Sequence, residues 1–111
     1  MANIFDTFTS RDIGTTLTLV GGYTANSISQ TTVIGLTVAN KTNQAVTVDV
    51  TYSDGTANTY LVKNAPLSQG SAFVPVGGDQ KIVLTTGYGI KVASNTVNSI
   101  DATMSALIIT G

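Results

Sequence analysis

The side chains that most often carry chemistry are nearly absent from this chain. Its 111 residues contain no histidine, no cysteine and no glutamate, so acid–base work near neutral pH would fall to aspartate and lysine. A serine or threonine nucleophile needs a base beside it, and none of Lys41, Lys63, Lys81 and Lys91 pairs locally with a serine. Two carboxylates can flank a glycosidic bond, and Asp49 and Asp54 are near in sequence. Asp49, however, falls on the presumed wet face of a strand, and Asp54 opens an Asp-Gly turn. The loop "SDGTAN" lacks the acidic density of a calcium loop. "GGDQ" lacks the lysine and helix of a phosphate-binding glycine loop. "NKT" (Asn40 to Thr42) fits the glycosylation sequon, which carries weight only in a protein secreted from a eukaryote. No catalytic, cofactor-binding or metal-binding residue is expected, and the chain reads as a non-enzyme.

Charge narrows the reading further. Five basic and six acidic residues give a net charge of -1, with Arg11 and the lysines scattered rather than clustered. Nucleic-acid binding needs grouped Lys and Arg on the phosphates, so no nucleic-acid partner is expected. Zero cysteine excludes a disulfide framework and thiolate zinc sites. The start, "MANIFDTFTSRD", has no basic flank followed by an apolar core, so it does not read as a signal peptide. No apolar run approaches the roughly 20 residues of a membrane helix, and no membrane partner is expected. Charged residues make up only 10% of the chain, against about 25% in ordinary soluble domains. So little charge gives weak protection against self-association. The economical explanation is a surface partly covered in the working state, by copies of itself or by a larger lattice.

The elements that hold these residues are strands. Roughly one residue in six is threonine, and valine and isoleucine are abundant; branching at Cβ suits a pleated surface better than a helix. In "AVTVDVTY", Val46, Val48, Val50 and Tyr52 point one way and Thr47, Asp49 and Thr51 the other. In "SIDATMSALII", Ile100, Ala102, Met104, Ala106 and Ile108 share a face. Turn clusters at 39–44, 53–58, 64–70, 76–80, 85–89 and 93–98 divide the chain into strands near 15–20, 32–39, 45–53, 58–63, 71–75, 80–85, 88–93 and 99–109. That spacing predicts an all-β, antiparallel β-sandwich spanning 15–111, with jelly-roll and immunoglobulin-like connections both open. "QKIVL" and "GIKVAS" read as two arms of a hairpin turned by "TTGYG", with Ile82, Leu84, Ile90 and Val92 inward.

Residues 1–14 are less regular. Ile4, Phe5 and Phe8 lie in a segment without strand alternation, which either packs on its own sandwich or serves as a docking arm. Those three residues are the candidate assembly contacts.

The stretch Asn58 to Thr110 resembles a loose group of small virion proteins from tailed bacteriophages, many from marine and cyanobacterial hosts. In that group a strand ending "Lys-Asn-Ala-Pro" (here Lys63 to Pro66) leads to a glycine-aspartate turn (Gly78-Asp79). An "Ile-Lys-Val" strand (Ile90 to Val92) and a closing "Ser-Ile-Asp-Ala-x-Met-Ser" strand (Ser99 to Ser105) follow. "TTGYG" stands where the group has a proline-glycine-aspartate turn. The preceding "TVIGLTVANKTNQAVTVDVTYSDG" is similar to the group's front hairpin. The resemblance implies a structural virion protein. Its leading form is a capsid cement (decoration) protein on the outside of the head, bridging neighbouring capsomers. The implied partners are the major capsid protein and further copies of itself, typically as trimers. The alternatives are a tail, neck or fibre-adaptor protein, and, from a different class, a carbohydrate-binding module with Tyr88 at a turn tip.

Overall fold

A computed structural model describes residues 2–77 and 81–110. Nine strands form two antiparallel sheets: β1 (Ala2–Ile13), β2 (Thr18–Leu19), β3 (Ser29–Asn40), β4 (Val46–Ser53), β5 (Asn58–Leu67), β6 (Ala72–Val76), β7 (Ile82–Leu84), β8 (Gly89–Ser94) and β9 (Ile100–Thr110). Sheet A runs β1-β9-β3-β6, with β7 also paired to β3; sheet B runs β2-β8-β4-β5. The chain is all-β, as its threonine and valine content predicts.

The pairings are nested. β1 joins β9, β2 joins β8, β3 joins β6 and β4 joins β5, so the chain is one long antiparallel ribbon. Contacts of β3 with β9 and of β4 with β8 close the rolled ribbon into two layers. This is the double-sheet jelly roll, and it settles the choice of connection that the sequence left open.

Alternation places the core between the layers. Val48, Val50, Ile90 and Val92 from sheet B meet Val33, Leu36, Val38, Ile100 and Met104 from sheet A, all essentially sealed from water. Polar groups that enter the core are bonded. Asn40 is 2% exposed, and its amide donates to the carbonyls of Gln44, Leu67 and Ser68 at 2.7, 3.1 and 3.2 Å. With its Nδ2 so occupied, the "NKT" triplet is a corner brace and offers no nitrogen to a glycan.

Three expectations change. Residues 2–13 are not an irregular segment ahead of the sandwich. They form β1, in unbroken register with β9 from Ala2 to Ser10, so the sheets begin well before residue 15. "QKIVL" and "GIKVAS" are not a hairpin, since β7 pairs with β3 in sheet A and β8 with β2 and β4 in sheet B. "TTGYG" carries the chain between layers, held by Ala25, whose N–H donates to the Tyr88 carbonyl (3.0 Å) and whose carbonyl accepts from Gly87 N–H (2.7 Å). The front segment is likewise a crossover, with β3 in sheet A and β4 in sheet B. Gly78-Asp79 of the proposed turn lies outside the described residues.

Candidate assembly surface

Strand length decides where the core stops. β1 and β3 have 12 residues each and β9 has 11; the central strands of sheet B, β4 and β8, have eight and six. At roughly 3.3 Å per residue the long strands extend about 40 Å, which sets the 46 Å axis of a body only 27 × 22 Å across. Sheet A therefore outreaches the middle of sheet B at the end holding the start of β1 and the close of β9.

That overhang is apolar on both faces. Ile4 stands opposite Ile108, in line with Thr31 and Leu84. Thr31, whose hydroxyl bonds that of Tyr23 at 2.7 Å, and Leu84 are buried, whereas Ile4, on the edge strand of the same row, is 49% exposed. On the outer face Phe5, Leu107, Thr32 and Val83 stand opposite one another across β1, β9, β3 and β7. Phe5 is 74% and Val83 64% exposed. Directly opposed residues share a face and touch, so these side chains form one cross-strand row.

Phe8, on the same strand, belongs to a different environment. It faces buried Met104 and stacks on Tyr23, with ring centroids 4.3 Å apart and planes at 27°. The backbone of Gly21 lies against it: a Cβ there would come within 2.6 Å of the Phe8 Cβ. Ser10 Oγ donates to Leu19 O (3.1 Å) and accepts from Gly21 N–H (2.8 Å), tying β1 to the 3₁₀ turn Val20–Gly22. Of the three residues singled out in sequence, then, Ile4 and Phe5 stand in water and Phe8 anchors the strand. Leu107 and Val83, which complete the outer row, could be found only with the strand register in hand.

The opposite end of sheet A is ionic. Lys41 bonds the Asp12 carboxylate and lies 3.0 Å from the carboxylate of Asp101, which also accepts the Asp12 N–H at 3.0 Å. Hydrogen bonds to Asp12 and then Asp101 hold the Lys41 ammonium above its ordinary pKa. For Asp101 the largest influence is burial, which pulls its pKa upward. The Asp12 N–H and the Lys41 charge outweigh it, and the net shift is downward.

The Asp49 carboxylate accepts from Asn64 N–H at 2.8 Å. Asp54 accepts from Ala57 and Thr56 N–H at 2.7 and 2.9 Å, which depresses its pKa. Each aspartate shapes its own backbone, and the two do not converge. No group of three metal-ligating side chains occurs among the described residues. Tyr88 is not a free tip: its ring packs 4.9 Å from that of Tyr52 and against the core. Tyr60 is 43% exposed, but the Lys63 ammonium sits 4.4 Å over its ring. Neither tyrosine offers an open ring face to a sugar.

No family model and no curated protein matches this sequence. Among solved structures it is similar to a subunit of Bacillus endospore appendages, described as a novel family of disulfide-linked pili. The TM-score is 0.55 at 14% identity, covering 97% of this chain and 88% of that one. A capsid chain of the T13 infectious bursal disease virus (IBDV) particle gives a TM-score of 0.47 at 16% identity, with 97% of this chain covered and 31% of that one. At such identities the pilus likeness concerns the fold alone.

Proposed function

We propose that this chain is a structural subunit of a virus particle, a capsid cement protein of a tailed bacteriophage that binds the outside of the head and bridges neighbouring capsomers. The observation that carries the reading is the two-sided apolar overhang: Ile4 and Ile108 on one face, Phe5, Leu107 and Val83 on the other, in a chain that is only 10% charged. Isolated exposed apolar residues are ordinary, but Phe5, Leu107 and Val83 share one cross-strand row with Thr32 between them, and apolar groups so aligned favour a binding surface. The resemblance of Asn58 to Thr110 to phage virion proteins supplies the partner, the major capsid protein. The Bacillus pili supply a precedent for a chain of similar fold in an extended assembly. Their disulfide linkage has no counterpart here, since the chain contains no cysteine.

A clamp of this kind resists the outward pressure of a packaged genome by burying surface on two capsomers at once. A rigid two-layer body loses little conformational freedom on docking. A preformed shell presents many sites side by side, so modest contacts suffice at each.

Cryo-electron microscopy of the particle tests the placement, with ordered density expected on the outer head surface at hundreds of copies. Density confined to the tail or neck would overturn the cement reading in favour of a tail component. Co-sedimentation with shells stripped of the protein tests the surface itself. Val83→Asp, on an exposed strand position, is expected to weaken shell binding about tenfold or more, and Lys41→Met at the ionic end to leave it unchanged.

A further inference from the structure

Over most of its length β3 has a strand on each side, but its first two residues do not. Away from β9 it pairs with β7 over residues 31–33 and with β6 over residues 36–39. Ser29 and Gln30 have no strand beside them on that side among the described residues. The cause lies in the chain leaving β7. Beyond Leu84 it turns away toward sheet B, in a turn where the Thr85 carbonyl accepts the Tyr88 N–H at 2.8 Å. Between the departing chain and the start of β3 lies a half-open cleft of about 400 Å³, walled by residues 29–32 and 83–86. Asn26 ties the two walls together. Its side-chain oxygen accepts from Ser29 Oγ at 2.6 Å and from Ile28 N–H at 3.2 Å, and its carbonyl accepts from Thr86 Oγ1 at 3.4 Å. The Tyr52 hydroxyl, from sheet B, donates to the Val83 carbonyl at 2.6 Å and holds β7 in place. The lining is hydroxyl, amide and aliphatic, without a charged side chain.

We infer that this cleft receives an extended, uncharged segment of the major capsid protein, laid beside Ser29 and Gln30 as a short added strand. The inference rests on the particle reading and deepens it. A charged group entering the cleft would lose water and meet no opposite charge there. Sites for small molecules bury most of the ligand, which a half-open cleft does not, whereas a polymer segment can lie across it. Thr32 and Val83 belong both to the cleft and to the outer row, so a segment seated here continues the contact that Phe5 and Leu107 make. Strand addition draws affinity from main-chain hydrogen bonds and choice of partner from the flanking side chains. Walls already tied in place keep the entropy lost on docking small.

Shells stripped of the protein are the probe. Thr86→Trp, at an exposed position on one wall, fills the cleft and is expected to weaken co-sedimentation about tenfold. Gln30→Lys and Gln30→Glu, at an exposed position on the other, are each expected to weaken it about fivefold, since an uncharged segment gains from neither sign. Circular dichroism checks that the variants are folded. Amide exchange of the unaltered protein gives a readout free of any substitution, with residues 29–30 expected to slow on binding shells. Unchanged exchange there, or Thr86→Trp binding like the parent while Val83→Asp binds weakly, would overturn the cleft and leave the particle reading standing. Opposite effects of lysine and glutamate would assign a charged occupant and overturn the inference. Self-association of the free chain that Thr86→Trp abolishes would give the cleft to a second copy and do the same. A parent that fails to bind shells would overturn both readings.

Discussion

At the scale of single residues, Lys41 shows how this chain uses the few charges it has. It joins the bulge of β1 to the start of β9 through Asp12 and Asp101. Asp101's depressed pKa means that its share of stability is present above the ordinary 3.8 and lost as pH falls through the folded value. Lys41's raised pKa means that its share is present below 10.5 and lost as pH rises through the folded value. The Tm gap between the parent and Lys41→Met should therefore hold steady between those limits and close beyond both. Thermal melts across pH would check this, and a gap that ignores pH would show that the pair is only a neighbourly contact. Gly21 and Gly22 make a second test, because both have a φ of 65° yet only Gly21 lies against Phe8. Alanine at Gly22 should cost about 1 kcal/mol for the left-handed backbone. Alanine at Gly21 should cost about 1–3 kcal/mol more for the clash. Equal losses in urea denaturation would mean that Phe8 does not anchor β1 there.

Elements differ in how firmly they are held. β9 and β3 are paired on both sides along their lengths, and β8 and β4 are the inner strands of sheet B; β5 is bulged and largely exposed. Native-state amide exchange should find Ala102 to Ala106 opening only with the whole molecule, and Tyr60 to Asn64 opening orders of magnitude faster. Uniform protection would contradict this ranking. The same contrast explains what the sequence could reveal. β3, β4 and β9 alternate between a dry and a wetter face, so Val46, Val48, Val50 and the Ile100–Ile108 series announce themselves by alternation. β1 carries no such signature, because its overhanging half is wet on both faces and the cue needs a difference between them. Pairing was equally hidden. Local turn chemistry at "TTGYG" is the same whether the chain returns beside itself or crosses to the other layer, and only the nested ribbon distinguishes the two. Ile4, Phe5 and Phe8 stood out in the sequence as candidate assembly contacts, but Leu107 and Val83 join the first two only through register, which has no local code.

At the scale of the whole molecule the jelly roll is polarised. Asp12, Lys41 and Asp101 gather toward one end of sheet A, and Ile4, Phe5, Val83, Leu107 and Ile108 toward the other, about 20–25 Å away along the strands. In the proposed cement role, such a body would dock with its apolar end on the shell and its ionic end in water. A contact made by apolar side chains and neutral hydrogen bonds has little Coulomb energy for salt to screen. Charge-steered association, by contrast, falls steeply as the Debye length shrinks. With a net charge of -1, binding to shells should change less than about threefold between about 50 mM and about 500 mM sodium chloride. Co-sedimentation at a series of salt concentrations measures this directly. A loss of tenfold or more over that range would place the contact at the Lys41 end and reverse the orientation argued here.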